Sequence, residues 1–174
     1  QRKNDFNRAR RFSHVFRYLD DLCALNDYGE ILASCSEIYP PEMELGKENL
    51  HDAEASFLDL QINVVDQNFE LRLYDKRDAF PFSIVRMPHT CSKIPSEMFY
   101  SAVGAEILRI GRTTTIPEKF VLDTKQLITR MQKQGVVLAR VITVVRKLYG
   151  RHGEDLMHLF GSAQDLVDSV VSCP

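Results

Sequence analysis

Apolar and polar positions along this chain follow two different periods, and the change between them divides it. The clearest alternation runs over 56–65 and 69–76. Leu58, Leu60, Ile62 and Val64 interleave with Phe57, Asp59, Gln61 and Asn63, and then Phe69, Leu71 and Leu73 interleave with Glu70, Arg72 and Tyr74. Period two predicts strands with one buried face, and Asp66-Gln67-Asn68 between them predicts a hairpin turn. Nearer the start, the short apolar runs 12–17 and 22–26 flank Tyr18-Leu19-Asp20-Asp21, which reads as strand, tight acidic turn, strand. Ile31, Leu32, Cys35 and Ile38 fall at helical spacing within Tyr28–Tyr39, and Pro40-Pro41 ends that helix. A short strand is expected around Met43–Gly46, and the first twelve residues read as a basic helix tail.

From Pro95 the period becomes helical. Met98, Phe99, Ala102, Val103, Ile107 and Ile110 line a first helix. Phe120, Val121, Leu127, Ile128 and Met131 line a second that Gly135 closes, and Leu138, Val141, Ile142, Val145 and Leu148 a third that Gly150 closes. These stripes are core positions. A weaker element at Asp155–Phe160 precedes Gln164–Val171. Between the strands and the helices, 77–94 holds Pro81 and Pro88 without a sustained period, so it reads as a crossing loop. His89, Cys91 and Ser92 within it have no acid or base placed near them in sequence and read as loop residues. The expectation is an α+β fold in two parts, 1–94 and 95–174.

Composition adds three constraints. The 174 residues suffice for one domain or a compact pair, and 44% hydrophobic with 26% charged residues is ordinary for a folded chain. Cys23, Cys35, Cys91 and Cys173 show no CxxC pair, which argues against a zinc site or a disulfide framework and predicts reduced thiols in a cytoplasmic or nuclear protein. No run approaches a membrane span. Charge is uneven: 95–151 holds ten Lys or Arg against four acids, a balance of +6, while the whole chain carries −2, leaving −8 elsewhere. A basic helical part beside an acidic part suits a protein that grips phosphates with one and metals with the other; an ordinary solvated helical surface gives the same numbers.

The acidic turn carries the sharpest chemistry. Adjacent carboxylates between apolar runs are costly without a neutralising charge, and Mg²⁺ binds through one or two carboxylates plus substrate phosphates. The bland alternative is a solvated hairpin turn in which Asp merely suits the backbone.

The Tyr18-Leu19-Asp20-Asp21 hairpin resembles the metal-binding turn of reverse transcriptases. The resemblance continues in order through Glu44-Leu45-Gly46-Lys47-Glu48-Asn49, Ala55-Ser56-Phe57-Leu58-Asp59-Leu60-Gln61-Ile62, Leu71–Asp78 and Ile94-Pro95, covering roughly residues 12 to 150. It is most similar to the reverse transcriptases of animal retroelements, the Penelope-like group and its relatives. The resemblance implies a C-terminal palm portion over 1–94 followed by a helical thumb, with a helix-turn-helix look, over 95–174. It implies RNA-templated DNA synthesis with Mg²⁺ or Mn²⁺, on an RNA template and DNA primer, from deoxynucleoside triphosphates. Asp20 would be the essential metal ligand and Asp21 the more peripheral one. Tyr18 and Leu19 would lie near the primer end, Lys47 near the incoming triphosphate, and Phe57, Leu58 and Asp59 in the primer grip. Arg109, Arg112, Arg130, Arg140, Arg146 and Lys147 would meet the duplex backbone.

That family's palm needs a further metal-binding aspartate on another strand. Asp5 sits in a basic polar stretch instead, so the expectation is a fragment that relies on an upstream polymerase chain and is inactive alone. The rival is a non-enzymatic nucleic-acid-binding helix-turn-helix module of a decayed or repurposed element.

Overall fold

The computed structural model describes residues 9–10, 12–25, 28–82 and 84–171. The expected helix tail over 1–12, the Asn26-Asp27 turn and Cys173 lie wholly or largely outside the described residues. The architecture is α+β, and the chain divides into two compact units, Gln1–Leu58 and Asp59–Pro174.

In the first unit, β1 (Val15–Tyr18) and β2 (Asp21–Ala24) form an antiparallel hairpin in the register Val15↔Ala24 through Tyr18↔Asp21. Helix α1 (Tyr28–Ile38) follows and buries Ile31 and Ser34, and the strand β3 (Glu54–Phe57) ends the unit. The strand expected at Met43–Gly46 does not form. Met43 N–H donates to Pro40 O in a turn, and 43–49 continues as irregular chain. Alternation over so few residues needs a partner strand to hold it extended, and none among the described residues pairs with it.

The second unit opens with the hairpin of β4 (Leu60–Val65) and β5 (Asn68–Leu73), paired from Leu60↔Leu73 to Val65↔Asn68. Its turn is Asp66-Gln67, both at positive φ (48° and 64°) as a type I′ turn requires, and Asn68 already belongs to β5. The stretch expected as one strand over 56–65 is broken at Leu58, whose φ of 55° reverses the chain direction. Period two cannot register such a break, because no Gly, Pro or Asn marks it. Strand β5 stops at Leu73, and Asp75 then caps a 3-10 turn over Lys76–Ala79 by accepting from Arg77 N–H. The free side of β5 is also engaged: Leu71 N–H donates to Thr115 Oγ1 and Thr115 N–H to Leu71 O, both at 2.9 Å.

Four helices complete the unit: α2 (Ser96–Thr113), α3 (Pro117–Lys133), α4 (Leu138–Leu156) and α5 (Ala163–Val171). Proline opens α3 at its first turn, where its missing N–H costs nothing, and Gly135 follows α3 at a φ of +84° that favours glycine. The predicted stripes are buried or half-buried in the core except Met98, which stands 61% exposed in the first turn of α2, where the helix has not yet met its neighbours. Val103, Ile107, Phe120, Val141, Leu156 and Leu166 are essentially inaccessible, and β5 packs on α2 and α3. Helices α2 and α4 approach closely because Gly104 and Gly111 lack side chains; a Cβ at Gly111 would fall 2.3 Å from Leu156 Cδ2. One correction concerns α4. It does not end at Gly150 but runs on to Leu156 through a kink at His152 (φ −132°, ψ 31°), absorbing the start of the element expected at Asp155–Phe160. Burial of Leu156 and Leu159 offsets the cost of the continuation.

Candidate metal turn and nucleic-acid surfaces

The hairpin of the first unit puts its two acids at the tip. Leu19 and Asp20 form a two-residue turn, and Leu19 alone of the pair has positive φ (54°), the pattern of a type II′ turn. Glycine is the usual residue there, so a leucine stores local strain. Arg17 braces the turn: its Nε donates to Leu19 O at 2.9 Å, and its guanidinium carbon lies 5.4 Å from the centre of the Tyr39 ring. Cys23 faces inward, and burial raises its thiol pKa.

Tyr18, Leu19, Asp20 and Asp21 are all exposed; Leu19 is 74% accessible. Asp20 occupies the turn and Asp21 begins β2, so the neighbouring carboxylates leave the backbone in different directions. No Lys or Arg among the described residues pairs with either. Two open carboxylates are the hard oxygen donors that Mg²⁺ or Mn²⁺ accepts, so the residues present suit such an ion. No group of three His, Cys, Asp or Glu side chains gathers at one point among the described residues, so the pair would supply only part of a coordination shell.

The other expected contacts of this unit lie apart from the turn in sequence. Lys47 Nζ is engaged by Asp52 in an exposed ion pair, whose hydrogen bond and charge hold the Asp52 carboxyl below its usual range. Phe57 is half-buried at the end of β3, and Leu58 is exposed in its left-handed conformation.

In the second unit, Asp59 is tied to α2, with Arg109 Nη2 2.6 Å from its Oδ2, while Asp59 O accepts from Tyr74 N–H at 2.7 Å. Arg109 also contacts Glu106 at 3.4 Å, and Glu106 meets Arg86 at 3.1 Å. Most of the arginines expected to meet phosphates are similarly committed. Arg112 pairs with Asp155 at 2.9 Å and Arg130 with Asp75 at 2.7 Å. Arg140 lies 3.5 Å from Glu97 and stacks 4.0 Å from the centre of the Tyr100 ring. Only Arg146, on the neutral amide of Gln164 at 3.2 Å, and Lys147 have no carboxylate partner among the described residues.

The strongest electrostatic centre lies outside the expected site. Asp75 receives Arg77 Nε at 2.7 Å as well as Arg130. Burial alone would raise its pKa, but the hydrogen bonds from Arg77 and Arg130 outweigh that and bring the carboxyl from 3.8 down to about 2. Close by in the fold, Arg72 Nη2 reaches the buried Asp123 at 3.1 Å, joining β5 to α3. The sequence does carry a signal for this pair: Asp123 interrupts the apolar stripe of α3, and an acid on a buried helix face requires a cation. His89, Cys91 and Ser92 are loop residues, as expected. His89 Nδ1 accepts from Cys91 N–H at 3.1 Å, and Thr90 N–H donates to Gln134 O at 2.8 Å.

A cavity of ≈10 Å³ lined by Thr124, Ile128, Val141 and Leu166 lies inside the helices. That is about one water in size, a packing void and not a substrate pocket. No helix among the described residues is long and apolar enough to cross a membrane. No known family model, curated protein or solved structure matches the chain.

Proposed function

We propose that this chain is the C-terminal part of an RNA-directed DNA polymerase of a retroelement, carrying its metal turn, primer grip and thumb. The observation that carries the reading is the β1–β2 tip, where a strained two-residue turn presents Asp20 and Asp21 to solvent without a neutralising cation among the described residues. A divalent Mg²⁺ or Mn²⁺ bound there would make a primer hydroxyl nucleophilic and neutralise charge developing on a phosphate. The chain's own part is positional. Arg17 fixes the turn carbonyl, so the Asp20 carboxylate is held on a stiff hairpin. Leu19 offers an apolar surface to a terminal base pair, a contact that reads shape and not sequence. Phe57, Leu58 and Asp59 would bear on the primer strand, with Arg109 fixing the Asp59 side chain. Deoxynucleoside triphosphates, an RNA template and a DNA primer are the partners.

The test uses the full-length parent. Asp20→Asn should abolish primer extension on an RNA template while template–primer affinity stays within about twofold, because the charge acts on metal and not on the duplex. The chain alone should give no extension. Robust synthesis by the Asp20→Asn parent would sink the reading. The second reading, a nucleic-acid-binding module without catalysis, is favoured by the separate compactness of Asp59–Pro174. It predicts discrimination between duplex sequences, on the order of 10³-fold, at fixed salt.

A further inference from the structure

Arg17 stands three residues before one open carboxylate and four before another, yet it holds neither. Asp20 and Asp21 are exposed at the β1–β2 tip, and a carboxylate is the partner that a guanidinium binds most strongly. Arg17 instead donates Nε–H to a neutral acceptor, Leu19 O, at 2.9 Å and lays its guanidinium 5.4 Å from the centre of the Tyr39 ring. It forms no ion pair among the described residues. One exposed hydrogen bond to a carbonyl does not by itself outweigh the rotamer freedom that a long side chain gives up. This choice of partner requires a second hold on the guanidinium, and Tyr39 supplies it.

The backbone keeps Tyr39 in place. Its N–H donates to Cys35 O at 2.8 Å and so closes the last turn of α1. Pro40 and Pro41 follow; each fixes its own φ, and Pro40 restricts the backbone of Tyr39 before it. Met43 N–H then donates to Pro40 O at 3.0 Å, which holds the turn that carries the prolines. A half-buried ring on so constrained a backbone is a fixed platform. Its negative face attracts a planar cation lying over it.

We propose that Tyr39 is a positioning residue for the acidic turn. It holds Arg17 on the Leu19 carbonyl and thereby keeps the guanidinium from closing on Asp20 or Asp21, so both carboxylates stay open to a divalent cation. Arg17 then supports the backbone of the turn without occupying its acids. The proposal rests on the metal reading of the turn; what it adds is that the end of α1 decides which partner Arg17 takes.

The experiment measures Mn²⁺ binding to the whole chain, read from the electron paramagnetic resonance signal of the free ion. Asp20→Asn should abolish the binding that belongs to the turn. Tyr39→Leu should weaken it by about three- to fivefold, the share that one exposed cation–π contact carries. Tyr39→Phe keeps the ring face and should stay within about twofold of the unaltered chain. The deciding variant is Tyr39→Leu/Arg17→Gln. With no guanidinium left to close on the acids, its affinity should return to within about twofold of the unaltered chain, a coupling that independent sites do not show. A tyrosine that merely supports the fold is not rescued by removing a second residue. A loss that persists in the double variant therefore overturns the proposal, and so does normal Mn²⁺ binding by Tyr39→Leu. In both cases the metal turn stands, because Asp20→Asn still separates bound from unbound ion. Absence of Mn²⁺ binding, or binding that Asp20→Asn does not reduce, overturns the turn as a metal site and the role of Tyr39 with it.

Discussion

Asp75 Oδ2 accepts a hydrogen bond from Arg130 Nη1 at 2.7 Å across 55 positions of sequence, and it joins the segment after β5 to the last turns of α3. With Arg77 on the same carboxylate, one acid serves two guanidinium groups. The arrangement stabilises the fold only while Asp75 is ionised.

Stability should therefore depend on pH in an acid window. The folded carboxyl titrates at about 2 against an ordinary 3.8, so its contribution is complete above pH ~4 and is lost as pH falls toward 2. Screened by partial exposure, it is worth about 1–2 kcal/mol. Urea unfolding between pH 5 and 2 should show that loss, and Asp75→Asn should flatten the window. Equal acid sensitivity in the variant would refute the assignment.

Thr124 is fully buried, and its hydroxyl has no hydrogen-bond partner among the described residues. Replacing it with the isosteric valine removes an unsatisfied polar atom and fills the same space. Thr124→Val should raise stability by about 1 kcal/mol, read as a thermal midpoint higher by ~2–4 °C. A lower midpoint would mean that the hydroxyl is engaged.

Gly111 marks the closest approach of α2 to α4. Gly111→Ala gains helix propensity but drives a methyl group into the inaccessible Leu156. Overpacking should win, with a net loss of about 1–3 kcal/mol by denaturant titration. Leu156→Ala should cost less in the Gly111→Ala background than in the unaltered chain, a non-additivity that distant sites do not show.

Leu19 is the converse case, a bulky residue where glycine is preferred. Leu19→Gly should leave stability unchanged or raise it by up to about 1 kcal/mol. Under the proposed polymerase reading it should also slow primer extension by the full-length parent, because it removes the apolar surface that the reading gives to the primer end. A large destabilisation in equilibrium unfolding would show that Leu19 packs against the protein and contradict its exposed position.

Much of this fold is legible where one period holds over a long stretch. The stripes of α2, α3 and α4, the β4–β5 alternation and the strand–turn–strand around Asp20 all appear at their expected places. The misreadings lie where a backbone feature has no dedicated residue type. Leu58 and Leu19 adopt left-handed φ without being glycine, so the reversal at Leu58 is hidden inside an apparent strand. Gly150, which does have a helix-ending residue type, sits within a continuing helix because burial farther along holds the chain helical. Of the candidate site, the acidic tip is visible in four letters. The fate of the arginines is not, because a cation's partner is set by packing. Asp59, Asp75 and Asp155 are distant in sequence from the arginines that they neutralise.

The reciprocal bonds between Leu71 and Thr115 have a consequence beyond the fold itself. The edge strand of a sheet normally offers a row of vacant donors and acceptors, on which another extended chain can add itself to a growing sheet. Here a loop residue from between two helices occupies part of that row on β5. The hairpin is thus guarded against self-association by its own helical neighbour, and the guard exists only once α2 and α3 have docked. A chain caught before that docking would present the sticky ribbon that the finished molecule conceals.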